Sequence, residues 1–184
     1  MRYFYDTEFI EDGNTIELVS IGIVGEDGSE YYAVSTDFDP ARANAWVRDN
    51  VLDKLPSPRD PVWKSRARIR DELLEFLTRG SGPVELWAWV GAYDHVVLAQ
   101  LWGDMAGLPK QLPRFTRELK QYWEFAGRPQ LPAIPDATTM RLSMPATTFA
   151  NSAPARKNSH YRDHHRSKSR LTNARQATNG LMAV

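Results

Sequence analysis

Cysteine is absent from this 184-residue chain, which excludes disulfides and thiolate metal sites. No apolar run approaches the roughly 18 residues of a membrane span, so no transmembrane helix is expected. A signal peptide is not expected either, because Asp6, Glu8, Glu11 and Asp12 interrupt any apolar h-region. Together these absences make a cytoplasmic location, with no membrane contact, the expectation. Histidine is scarce, and none falls between His95 and His160. Glutamate stops altogether at Glu124. Residues 1–124 carry 14 Lys/Arg against 21 Asp/Glu, a net of −7. Residues 125–184 carry 9 Lys/Arg and only two acids, Asp136 and Asp163, a net of +7. Such a split often marks a basic tail for nucleic acid.

What is present is concentrated at the start. Met1 to Phe9 reads as a hydrophobic strand, yet it carries carboxylates at Asp6 and Glu8. In a strand that spacing points both side chains to one face. Two like charges on a half-buried surface repel, and desolvation adds to the cost. A hard divalent cation such as Mg²⁺ or Mn²⁺ removes the conflict. The plainer alternative is a wet strand end that the two charges merely blunt.

The length suits one domain with a real core. Glu11-Asp12-Gly13-Asn14 is a turn signal, and Thr15 to Gly25 reads as a second strand. Glu26-Asp27-Gly28-Ser29 then turns the chain into Glu30 to Val34, so three antiparallel strands open the fold. Asp39-Pro40 starts a helix expected to run through Trp46, Val47, Val51 and Leu55. Lys64 to Arg79 is the clearest amphipathic helix, with Ile69, Leu73, Phe76 and Leu77 on one side. Val84 to Val90 is a strand that arrives after a helical crossover and should lie parallel to its neighbour. Tyr93 to Trp102 reads as a helix, and Thr116 is expected to cap another through Leu119, Tyr122 and Trp123. From about Pro135 the apolar period is lost, and Pro145 to Val184 has the composition of a disordered segment.

Asp94 lies just past the end of the fourth strand, where ligands of open α/β sheets gather. An Asp in a first helical turn also complements the helix dipole without any ligand. Asp-x-Glu on strand one, a β-meander, and an Asp opening the helix after strand four resemble the DEDD (DnaQ-like) 3′→5′ exonucleases of the DEDDh branch. The strings Phe4-Tyr5-Asp6-Thr7-Glu8-Phe9-Ile10, Glu85-Leu86-Trp87-Ala88-Trp89-Val90-Gly91-Ala92-Tyr93-Asp94-His95 and Pro113-Arg114-Phe115-Thr116-Arg117-Glu118-Leu119 look like the actinobacterial polyadenylate-specific 3′-exoribonucleases of RNase AS type. The resemblance covers about residues 1–135. It implies an α/β, ribonuclease H-like mixed sheet flanked by helices. It further implies two Mg²⁺ or Mn²⁺ ions held by Asp6, Glu8 and Asp94, and single-stranded RNA as partner. Adenylate-rich 3′ ends and a homodimer are implied as well. Phe9 and Leu18, with Trp89 and Tyr93, become the residues expected to meet bases; ordinary core packing is their alternative role. A haloacid dehalogenase-type phosphohydrolase would need Asp-x-Asp, which this strand lacks.

The family's third motif, a His followed by a last Asp within His-Asp-Ala-x-x-Asp-Ala-Arg, is missing after Pro135. The chain reads Asp136-Ala137-Thr138-Thr139-Met140-Arg141-Leu142-Ser143-Met144 instead. Regrouping codons from the third base, with suitable wobble bases, yields His-Asp-Asp-Ala-Ala-Val-Asp-Ala-Arg over the same stretch. A frameshift near Pro135 therefore accounts for the charge split and the absent glutamates better than a selected RNA-binding tail does. On that reading 1–135 is the exonuclease domain and 136–184 an aberrant basic tail. The chain as written is then also open to a second role, as a catalytically impaired RNA-binding remnant. His160, Asp163, His164 and His165 offer metal-binding side chains but neither the family spacing nor an underlying rigid element. Resequencing the coding DNA is expected to recover the motif in the shifted frame; wobble bases that do not encode it contradict the frameshift.

Overall fold

Strict alternation sorts the first strand's side chains between two layers. β1 (Arg2–Glu11) sends Tyr3 and Tyr5 into the main core, while Phe4 and Ile10 enter two smaller clusters. The chain is described here by a computed structural model over residues 1–131. The expected tail and the stretch from Asp136 lie outside the described residues. All described residues belong to one compact unit.

β2 (Ile16–Gly25) and β3 (Glu30–Ser35) follow β1 as an antiparallel meander, as the turn signals predict. Asp12 nucleates the first turn: its carboxylate accepts the N–H groups of Asn14 and Thr15 at 3.0 and 2.8 Å. The third strand is followed by α1 (Ala45–Asn50), β4 (Trp63–Lys64), α2 (Arg66–Thr78), β5 (Glu85–Ala88), α3 (Ala92–Gln100), β6 (Arg117–Glu118) and α4 (Leu119–Phe125). The six-stranded sheet has the order β4-β3-β2-β1-β5-β6, with β5 parallel to β1 and β6 parallel to β5. This is the mixed α/β, ribonuclease H-like architecture that the resemblance implies.

One face of the sheet packs on α2 and α3. Ile69, Leu73 and Leu77 from α2 and Val97 and Leu98 from α3 meet Tyr3, Tyr5, Leu18, Ile21 and Ile23 there. On the opposite face, Ile10 and Val19 pack on α1 (Ala45–Asn50) through Val47, and Phe4 packs on Leu119 of α4. Burial of these side chains, at roughly 25 cal/mol per Å² of apolar surface, is the main force holding the layers.

Three local expectations change. The single helix expected from Pro40 to Leu55 is broken into a 3-10 turn at Pro40–Arg42, the short α1, and a second 3-10 turn at Leu52–Lys54. The break follows from capping: Ala43 is extended, and the Asn44 side chain takes the Val47 N–H at 2.9 Å to begin α1 afresh. Thr116 does not cap α4; Glu118 does so by accepting the Lys120 N–H at 3.0 Å. Finally, β5 stops at Ala88 rather than Val90, because Val90 turns to a left-handed φ of 60°.

Candidate active site

The site begins where β1 loses its neighbour. β5 pairs with β1 only from Arg2 to Phe4, so the β1 edge beyond Tyr5 has no strand on that side. Asp94, in the first turn of α3, fills the gap. Its Oδ1 accepts both the backbone N–H and the hydroxyl of Thr7 at 2.8 Å each. Thr7 and Asp94 are both buried. This tie brings the start of α3 against the strand segment that carries Asp6 and Glu8.

Alternation places Asp6 and Glu8 on the face opposite Tyr3, Tyr5 and Thr7, as their spacing predicts. A register shift follows directly: Glu8 pairs with Ser20 and Phe9 with Leu18, which leaves Val19 of β2 as the extra residue of a bulge beside the acidic pair. The charges of Asp94 and Glu8 act on Asp6, and that of Asp94 acts on Glu8. Burial first, then the charges of Asp94 and Glu8, push the Asp6 carboxyl up to about 8. Glu8 is raised by desolvation and then by Asp94, with Lys54 opposing, although the residue itself is solvent-exposed. Asp94 is raised by desolvation, against the lowering effect of its Thr7 hydrogen bonds. A cluster of desolvated carboxylates that resist ionising together has the donor chemistry of a hard-cation site. Among the described residues, however, no group of three His, Asp or Glu side chains is already drawn close enough to hold an ion.

The residues expected to meet bases separate into two environments. Phe9 and Tyr93 form a stacked pair, with ring centroids 5.6 Å apart and planes within 10°, and Tyr93 is 54% exposed. Beside them a groove of about 450 Å³ opens between Thr15 and Ile16 and the Tyr93, Val96 and Gln100 side of α3. Leu18 is fully buried in the main core and offers a base no surface, which corrects the expectation for it. Trp89 is half-buried and packs on Trp123 at 5.7 Å, so it belongs to the α4 cluster.

Sequence reasoning missed the supports. The Tyr5 hydroxyl and His95 Nδ1 both meet Thr116 Oγ1, at 2.5 and 3.0 Å, and this ties β1 and α3 to the segment before β6. Burial lowers the His95 pKa from the ordinary imidazole value. No local pattern reveals these pairs, whose partners lie 111 and 21 residues apart.

The raised Asp6 carboxyl carries a stability consequence. Its pKa is about 8 when folded against 3.8 in the free chain, so the metal-free fold loses stability as pH rises from about 4 to about 8. Asp6→Asn removes the penalty. In metal-free buffer at pH 8 the variant is expected to be more stable than the parent by up to about 5 kcal/mol, on the order of 10 °C in Tm. The gap should close toward pH 4. Thermal melts across this pH range check it, and equal Tm values at pH 8 contradict it.

Two comparisons bear on what such a site belongs to. The family model of the 3′-5′ exoribonuclease Rv2179c-like domain matches residues 1–160. The 3′-5′ exoribonucleases Rv2179c of Mycobacterium tuberculosis (strain ATCC 25618 / H37Rv) and MT2234.1 of strain CDC 1551 / Oshkosh are each 65% identical over 136 residues. Those residues span 73% of this chain and 81% of each relative. With its fold and its acidic cluster at the β1 edge, the chain belongs to the Rv2179c-like 3′-5′ exoribonuclease family.

Proposed function

We propose that the chain is a metal-dependent 3′→5′ exoribonuclease of the DEDD type, acting on single-stranded RNA with adenylate-rich 3′ ends and releasing nucleoside 5′-monophosphates. The observation that carries the reading is the hold of Thr7 on Asp94 at one uncovered strand edge, where the Asp94 charge raises both Asp6 and Glu8. Asp6, Glu8 and the free oxygen of Asp94 would hold the divalent cations, Mg²⁺ or Mn²⁺. Such ions supply charge stabilisation at the scissile phosphate and a more acidic attacking water. Thr7 fixes Asp94 so that its second carboxylate oxygen stays available. The Phe9–Tyr93 stack gives a planar apolar surface for a base near the 3′ end. Stacking of this kind tolerates any base, so the adenylate preference rests on the family likeness to the RNase AS type. A cytoplasmic location and a homodimer belong to the same reading. Among the described residues no helix is long and apolar enough to cross a membrane.

A second reading, an RNA-binding remnant with impaired catalysis, is favoured by one observation. The described residues alone assemble no three-ligand metal group, and the only described histidine, His95, already hydrogen-bonds Thr116 through Nδ1. Incubation with oligo(A), with Mg²⁺ or with EDTA, separates the readings. Release of AMP is expected with Mg²⁺ alone. Asp6→Asn should lower the rate by at least about 10²-fold, the scale of losing a group that stabilises transition-state charge. Binding without shortening selects the remnant, and shortening that persists in EDTA contradicts the metal-dependent mechanism.

A further inference from the structure

Val90 has a φ of 60°, a conformation that a β-branched residue rarely adopts. The residue is 53% exposed, so packing of its side chain does not impose the geometry. The backbone does. Glu118 Oε1 accepts the Val90 N–H at 2.8 Å, and Oε2 accepts the Gly91 N–H at 3.0 Å. Glu118 is placed to do this because β6 pairs with β5 so that Glu118 lies beside Ala88, the last residue of that strand. Its carboxylate then reaches the next two free amides along the chain.

The turn is also closed from its other side. A Cβ on Gly91 would stand 2.7 Å from the Ala88 Cβ and 3.0 Å from the Thr116 Cγ2, closer than a side chain tolerates. Gly91 begins α3 without a side-chain cap of its own, and its carbonyl accepts the His95 N–H at 3.0 Å. Wherever this turn is held, Tyr93 and Asp94 follow, since both lie in the first turn of α3. Residues strained in this way persist only where their surroundings over-determine them, and they cluster at functional sites.

We infer that Glu118 is a positioning residue, a carboxylate clamp on the strained Val90–Gly91 turn that sets Asp94 against Thr7 at the acidic cluster. The consequence for metal binding rests on reading Asp94 as a ligand. The clamp itself does not.

Both parts are testable on the full-length, metal-free protein by titration with Mn²⁺ and by amide hydrogen exchange. Glu118→Gln leaves one acceptor oxygen where the amides of Val90, Gly91 and Lys120 share two. It is expected to weaken Mn²⁺ binding about tenfold, the usual scale for an outer-sphere support. Adding Val90→Gly should recover most of that loss, because glycine holds a positive φ without a clamp. In the parent protein the Val90 and Gly91 amides should exchange slowly. Unchanged Mn²⁺ affinity in Glu118→Gln overturns the inference, and so does a loss that Val90→Gly leaves in place. Fast exchange of both amides in the parent overturns it without reference to any variant, which covers the case of a Glu118→Gln protein that fails to fold. Asp94→Asn provides the separating control: if it leaves Mn²⁺ affinity intact, Asp94 is no ligand, and the clamp is then judged on exchange alone.

Discussion

The Asp94 carboxylate, taking both the N–H and the hydroxyl of Thr7 at 2.8 Å, is the contact on which the candidate site depends. It replaces the strand pairing that β1 loses beyond Phe4, and so satisfies an edge amide that would otherwise be buried without a partner. It also joins two distant parts of the chain, since the partners are 87 residues apart. The charge it brings is costly. Asp94 helps to raise Asp6 and Glu8, so the fold gathers three carboxylates where water alone would keep them apart.

That cost makes sense for a member of an exoribonuclease family, because the same repulsion is what a divalent cation relieves. The surroundings reinforce the arrangement. Tyr5, His95 and Thr116 lock β1 and α3 to the segment before β6, and Glu118 holds the turn from which α3 departs. The acidic residues and the stacked Phe9–Tyr93 pair are thus presented from one rigid sheet edge and one helix start.

Much of this was legible in the sequence, for physical reasons that can be named. Period-two alternation in β1 exposed the Asp6 and Glu8 pairing, because a strand offers only two faces. The length of the Lys64–Arg79 apolar pattern made α2 plain, and the break after the fourth strand placed Asp94 in the first turn of the next helix. What stayed hidden was set by tertiary partners. Thr116 has the local look of a helix cap, but Tyr5 and His95 claim its hydroxyl and Glu118 caps α4 instead. Leu18 sits beside the acidic strand, as expected, yet the pleat turns it fully into the core. The two-residue strands β4 and β6 carry no pattern of their own, and their pairing partners alone define them.

The central claim is that Asp6, Glu8 and Asp94 together receive a divalent cation. Crystals of the protein soaked in Mn²⁺ test this directly through anomalous scattering. A peak within coordination distance of Asp6 and at least one of the other two carboxylates is expected, and Asp6→Asn should abolish it. An ordered Mn²⁺ peak that lies elsewhere, with the three carboxylates in contact only with water, would contradict it.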